Sequence, residues 1–301
     1  MTEVGFRSGY VAIIGRPNVG KSTLINRILG QKLCITSRRP QTTRHRILGI
    51  KTTDDSQLIY VDTPGIHIDN KRAMNRYMNR AAASSIDDVD VILFLVDGMN
   101  WTDEDERVLE RLKESAKAPV ILVINKVDKL ADKAVLLPQI EKLSAQFDFV
   151  NVFPISARKG VNVESLEQEI KKMIPEGELI FPEDQLTDRS SRFLAAEMVR
   201  EKLFRHLGQE LPYSITVEIE QFDDEKGMYR IGAVIYVERD GQKSIVIGKK
   251  GELLKSVGKE ARLEMQSMFG RKVFLRLWVK VREGWGDNER MLKNLGYTDE
   301  L

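Results

Sequence analysis

The sequence predicts two domains of different class: an α/β domain with a mostly parallel sheet and helices on both faces, then a smaller α+β domain. Three observations predict this. Apolar, strand-length runs alternate with amphipathic helical stretches through the first half. The rhythm breaks at Ile174–Asp188, where Pro175, Gly177 and Pro182 stand among acids. Beyond the break the order is helix, strand, strand, helices, strand. We place the domains at residues 5–178 and 188–301, with 179–187 as linker.

In the first domain, strands are expected at Tyr10–Ile14, Ile47–Thr52, Gln57–Asp62, Val89–Asp97, Pro119–Asn125 and Asn151–Ile155. Lys21–Leu29, Asp103–Ser115 and Val163–Met173 carry helical periodicity. In the second, a long amphipathic helix is expected over Asp188–Leu207, capped by Thr187 or Asp188 and ended by Gly208. Tyr213, Ile215, Val217 and Ile219 alternate along a first strand, and Ile231, Ala233, Ile235 and Val237 along a second. A helical stretch at Glu252–Met268 precedes a last strand alternating Val273, Leu275, Leu277, Val279 and Val281.

Composition fits this frame. A length of 301 residues suits two domains, and 42% hydrophobic with 31% charged residues is the balance of a soluble globular protein. No run approaches the roughly 18 apolar residues of a membrane span. The first ten residues include Glu3 and Arg7 and lack an apolar core, so no secretory signal is expected. The single cysteine, Cys34, reads as a small buried hydrophobe and suits a reducing compartment. Net charge is only +2, but residues 239–282 hold twelve Lys or Arg against four Asp or Glu, a local +8. Such a block is a solvated face or a nucleic-acid site.

The chemistry lies at strand ends. Gly15-Arg16-Pro17-Asn18-Val19-Gly20-Lys21-Ser22, then Thr23, matches GxxxxGK[ST] between a strand and a helix. Such a loop wraps a phosphate with converging N–H groups, and the following helix aims its positive end at the anion. Lys21 is expected on the β- and γ-phosphates and Ser22 on Mg²⁺. Asp62-Thr63-Pro64-Gly65 ends another strand. There Asp62 is expected to hold Mg²⁺ through water, and the Gly65 N–H to meet the γ-phosphate. Asn125-Lys126-Val127-Asp128 ends a third. The Asp128 carboxylate accepts guanine's paired donors, which adenine lacks, and the Lys126 stem covers the base. Ser156-Ala157-Arg158-Lys159 ends a fourth, with the Ala157 N–H placed for guanine's carbonyl. Four motifs in order, each after a strand, point to a GTP/GDP site.

This pattern resembles the translation-factor-related P-loop GTPases. Gln41-Thr42-Thr43-Arg44-His45 is similar to their switch I, which implies Thr43 as the Mg²⁺-ligating threonine, or Thr42 in the alternative register. Lys21, Thr43, Asp62 and Gly65 are the implied catalytic set. A Ras-like glutamine would stand at Ile66, and nearby His67 reads as a solvated loop residue. Intrinsic hydrolysis is therefore expected to be slow, with K⁺, through Asn18 and the threonine pair, or RNA completing the site.

In the second domain, Val246-Ile247-Gly248-Lys249-Lys250-Gly251 precedes an amphipathic helix. The GxxG string and the element order match a type II KH domain, in which such a loop clamps a nucleic-acid backbone. Gly248, Lys249, Lys250 and Gly251, flanked by Ile247 and Lys255, are the expected RNA contacts. Phe274, Arg276, Trp278 and Lys280 fall opposite the apolar row of the last strand. They form a stacking surface or a packing face. GTPase plus KH domain, with Gly284-Trp285 and Leu295-Gly296-Tyr297 in the tail, resembles the Era family of bacterial ribosome-assembly GTPases. That resemblance implies binding near the 3′ end of 16S ribosomal RNA, a role in 30S maturation, a cytoplasmic monomer, and peripheral contact with the inner membrane.

Overall fold

The computed structural model describes residues 5–65, 72–84, 88–98, 100–130, 136–208 and 211–297. The chain divides into two compact units: Met1–Ile68 with Met78–Asp188, and Asp69–Tyr77 with Arg189–Leu301.

The first unit is built on β1 (Arg7–Ile14), β2 (Ile47–Thr53), β3 (Ser56–Asp62), β4 (Val91–Asp97), β5 (Val120–Asn125) and β6 (Asn151–Pro154), ordered β2-β3-β1-β4-β5-β6. All neighbours are parallel except the β2–β3 hairpin. β4 and β5 are continuous apolar runs because both faces of the sheet are covered. The helices of this unit are α1 (Lys21–Leu29), α2 (Ala73–Ser84), which passes into the second unit, α3 (Asp103–Ser115), α4 (Leu136–Ser144) and α5 (Val163–Met173). α3 begins at a capping box of Thr102 and Asp105 and buries Val108, Leu109 and Leu112 against β1, β4 and β5. Truncating Leu112 to Ala there costs about 2–5 kcal/mol. Because β1, β3, β4, β5 and β6 run parallel, their carboxyl ends, and the four motifs, open at one edge.

Residues 179–188 are laid along the sheet edge. Gln57 is fully buried and accepts the Ile180 and Phe181 N–H groups at 2.9 Å each. The Ile50 N–H donates to Leu186 O at 2.9 Å and the Leu48 N–H to Asp188 Oδ1 at 3.0 Å.

The second unit contains α6 (Ser191–His206), β7 (Thr216–Glu225), β8 (Met228–Val237), α7 (Asp240–Ile247), α8 (Glu252–Phe269), β9 (Lys272–Val281) and α9 (Glu289–Asn294). Its sheet is ordered β7-β8-β9, antiparallel then parallel. Val217, Ile219, Ala233, Ile235 and Val279 are buried on one face, the side of α6 and α8. Trp285 is 1% exposed and donates to Ser214 O at 3.1 Å, and the Tyr297 and Thr216 hydroxyls lie 3.0 Å apart. The tail residues therefore close this core.

Three expectations are corrected. The cap of α6 is Ser190, whose hydroxyl accepts the Phe193 N–H, because Asp188 is engaged by Leu48. α6 is not simply amphipathic. Glu197, Arg200, Glu201 and Lys202 are buried on it and ion-paired, Arg200 with Glu197 at 2.5 Å and Lys202 with Glu201 at 2.8 Å. Tyr213 lies in a 3₁₀ turn, Leu211–Ser214, so β7 starts only at Thr216.

Candidate nucleotide site and nucleic-acid loop

The carboxyl edge of the first sheet holds a cleft of about 520 Å³. Asn18, Lys21, Ser22, Thr43, Asp128 and Ala157 are among the residues that line it. Lys21 is buried, and its ammonium donates to Gly15 O at 2.8 Å and Arg16 O at 3.1 Å. It thereby holds the loop in its phosphate-wrapping form. Burial lowers its pKa to about 8, a shift that Asp62 opposes.

Three oxygens converge beside it. Ser22 Oγ lies 3.0 Å from the Thr43 hydroxyl and donates to Asp62 Oδ2 at 2.8 Å. Thr42 is turned away, donating to Arg39 O at 2.7 Å with its hydroxyl 2.6 Å from that of Ser37. The geometry therefore groups Thr43, not Thr42, with Ser22 and Asp62. Asp62 Oδ1 is buried with no hydrogen-bond partner, and burial pushes this carboxyl upward despite Lys21 and Ser22. An all-oxygen set around an unsatisfied buried carboxylate fits Mg²⁺ and its waters. Buried Cys34 adds only a weak S–H contact to Asp62. Gly65 backs onto Pro17, where an added Cβ would meet the ring at 2.7 Å. Thr63 is tied to Ile13 O at 3.1 Å. Ile66 and His67 lie outside the described residues.

The base end is cross-braced. Asn125 Nδ2 donates to Val19 O at 2.7 Å, and Asn125 Oδ1 accepts the Ala157 N–H at 3.0 Å. That N–H, expected to meet guanine directly, is thus already used to join two loops, since a buried amide needs a partner. The Ser156 hydroxyl donates to Asp128 Oδ1 at 2.6 Å and holds the carboxyl below its ordinary pKa, so Asp128 stays an ionised acceptor. The Lys126 ammonium is anchored on Asn18 O and Asp97 Oδ2, both at 2.7 Å, which lays its stem along the cleft.

In the second unit, α7 ends at Gly248 (φ 74°), whose backbone crowds Leu253 Cβ to 2.7 Å from where a Cβ would stand. Lys249–Gly251 makes one 3₁₀ turn, and Gly251 starts α8. Lys249, Lys250 and Lys255 are exposed, and Ile247 is half-buried. The GxxG loop therefore presents cations and backbone to solvent between two helices.

Comparison with known proteins adds to this geometry. Residues 10–126 match the model of the 50S ribosome-binding GTPase family, and residues 210–286 that of the KH domain. A GTPase Era of Actinobacillus pleuropneumoniae is 60% identical over 293 residues, 97% of this chain and 96% of that one. The chain belongs to the Era family of GTPases. The crystal structure of a point variant of Aquifex aeolicus Era bound to GDP·AlF₄⁻ superposes with a TM-score of 0.94 at 41% identity, covering 97% of this chain and all of that one. An Era in complex with MgGDPNP and nucleotides 1506–1542 of 16S ribosomal RNA matches equally, at 0.94 and 41%, over 97% of this chain and 99% of that one.

For this Era-family chain, motif reading missed the braces behind the motifs. Arg27 on α1 donates to Ala157 O at 3.2 Å and to Arg158 O, fixing the fourth motif from behind. Asn26 accepts the Leu33 and Cys34 N–H groups and donates to Cys34 O, each at 2.8 Å, and so fixes the root of switch I. Arg16 pairs with buried Asp105 of α3 at 2.8 Å. The partners of Arg27 and Arg16 are brought in by the fold and leave no local signal; those of Asn26 lie seven and eight residues on but form no motif.

Proposed function

We propose that this GTPase, in its GTP-bound form with Mg²⁺, binds 16S ribosomal RNA near its 3′ end and acts in assembly and maturation of the 30S subunit. The observation that carries the reading is the presence of a guanine-nucleotide cleft and an exposed Gly248-Lys249-Lys250-Gly251 loop in a chain superposable on an Era that holds both ligands. Ser22, Thr43 and Asp62 hold Mg²⁺, which neutralises charge on the β- and γ-phosphoryl oxygens, and Lys21 adds a fixed cation. The Gly65 N–H meets the γ-phosphate. Asn125, Lys126, Asp128 and the Ser156–Arg158 turn hold the base.

In the second unit the loop backbone approaches RNA phosphates, Lys249, Lys250 and Lys255 add charge, and Ile247 borders the apolar groove. Hydrolysis is slow until K⁺ at Asn18 or bound RNA completes the site. No helix among the described residues is long and apolar enough to cross a membrane. A cytoplasmic monomer with peripheral contact at the inner membrane belongs to the same reading, as does the division into domains at 5–178 and 188–301.

The test is equilibrium binding of an RNA spanning 16S nucleotides 1506–1542 to the full chain and to Lys249→Asp/Lys250→Asp. The variant should bind at least roughly tenfold more weakly with a flatter salt dependence, since about two phosphate contacts are removed. Unchanged affinity would remove the loop from the RNA site.

A further inference from the structure

The outer face of the second sheet carries a planar ladder that the site above does not use. β9 is the edge strand, and Phe274, Arg276 and Trp278 project from its face opposite the helices. They are exposed, Phe274 by 42% and Trp278 by 40%. The groups are ordered against one another. The Arg276 guanidinium stands 5.6 Å from the Phe274 centroid and 5.8 Å from the Trp278 ring, and Arg230 of β8 stands 5.5 Å from Phe274. Gly232, opposite Arg276 on β8, supplies the seat for the indole, since a Cβ there would meet Trp278 Cζ3 at 3.1 Å. Two aromatic rings held against water leave apolar area unburied, which favours covering them with a partner. The cluster would serve a core poorly, because its cations need solvent or an anion.

Charge defines which half of the face is usable. Lys272 and Arg276 on β9 form no ion pair among the described residues, whereas Arg230 is paired with Glu225 at 2.5 Å and Lys280 with Glu220 at 2.7 Å. The acids of β7 (Glu218, Asp223 and Glu225) occupy the far side of the same face, so a polyanion is repelled there and confined to the β9 edge. Side chains on one strand face repeat at about 6.6 Å, close to twice the roughly 3.4 Å spacing of stacked bases. Unpaired cations beside exposed aromatic planes, at that repeat, match a single-stranded nucleic acid.

We propose that the β9 face is a second RNA subsite. There Phe274, Arg276 and Trp278 stack the bases of single-stranded nucleotides that continue from the segment held at Gly248–Gly251, and Lys272 and Arg276 neutralise their phosphates. The proposal rests on the reading of this protein as an RNA binder and extends its footprint across the second unit.

The experiment uses the full chain and the RNA of nucleotides 1506–1542. Trp278→Ala and Arg276→Ala should each weaken binding about tenfold, the scale of losing one base stack. Trp278→Phe, which keeps a ring, should recover most of it. GDP affinity should not change in any of these variants; thermal unfolding should fall in Trp278→Ala, because the indole packs on Gly232, and hardly at all in Arg276→Ala or Trp278→Phe, so Arg276→Ala separates lost RNA contact from lost packing. The emission lost on Trp278→Phe isolates this indole from Trp101 and Trp285, and RNA should quench that component. Unchanged RNA affinity in both alanine variants, or an unquenched Trp278, overturns the proposal and leaves the face to a protein partner. The Lys249→Asp/Lys250→Asp variant separates the two readings. If it binds normally while Trp278→Ala does not, the loop fails and the sheet face stands. If it alone weakens binding, the loop stands and the sheet face fails.

Discussion

Asn125→Ala removes both hydrogen bonds of the amide that joins the phosphate loop to the base-side turn. In the protein those bonds are Nδ2 to Val19 O at 2.7 Å and the Ala157 N–H to Oδ1 at 3.0 Å, and all three residues are buried. Each orphaned buried group costs about 1–3 kcal/mol. The cleft admits some water to the gap, so about 2–4 kcal/mol is expected in total. For a unit of this size each kcal/mol moves the midpoint by about 2–4 °C, so melting of the first unit should fall by about 4–16 °C without nucleotide. Nucleotide affinity should fall as well, by about tenfold or more, because binding must then order two loops that Asn125 holds in advance. Calorimetric scanning without nucleotide, followed by GDP titration, reads the two effects separately. A midpoint within about one degree of the parent would mean that neither bond stabilises the fold.

Other predictions concern the base, the phosphates and the cation. Asp128→Asn should exchange guanine preference for xanthine, because an amide presents a donor to the extra carbonyl of xanthine; competition between GTP and XTP reads the result. Lys21, with its pKa near 8, is protonated in the free and bound forms below that pH, so affinity is flat there. Above that pH the free form loses the proton and phosphates restore it. GDP affinity should then fall by about tenfold per pH unit with net proton uptake, measured by calorimetry in buffers of different ionisation enthalpy. Exchanging Na⁺ for K⁺ at fixed ionic strength should raise GTP turnover about tenfold, roughly 1.4 kcal/mol of barrier, and Asn18→Ala should abolish the difference. Equal rates in both salts leave RNA as the activator.

Local patterns carried most of the fold. α1, α3 and α5 were legible from end to end because each pairs a periodic apolar stripe with a defined cap or stop. α2 and α4 were not, since Ala73–Ser84 and Leu136–Ser144 have short stripes and no strong start signal. The buried Glu197, Arg200, Glu201 and Lys202 of α6 ran against the reading of charges as solvent-facing; pairs within the helix, Arg200 with Glu197 and Lys202 with Glu201, and Glu264 of α8 beside Lys202 accompany their burial. At the nucleotide site the motif residues were named from spacing, but the choice between Thr42 and Thr43 needed the contacts to Ser22, Ser37 and Arg39. The braces from Arg27 and Asp105 reach across sequence distances that no motif spans, while Asn26 acts within eight residues but belongs to no motif.

A chain that holds both a GTP site and an RNA site can couple the two. Switch loops that sense the γ-phosphate should bias the RNA-binding form, and linkage requires the bias to act equally in both directions. The direct measurement titrates the RNA of nucleotides 1506–1542 against the full chain loaded with a non-hydrolysable GTP analogue or with GDP. The GTP-analogue form should bind the RNA more tightly, and RNA should favour the analogue over GDP by an equal factor. Identical RNA affinities for the two forms would mean that the two sites are uncoupled.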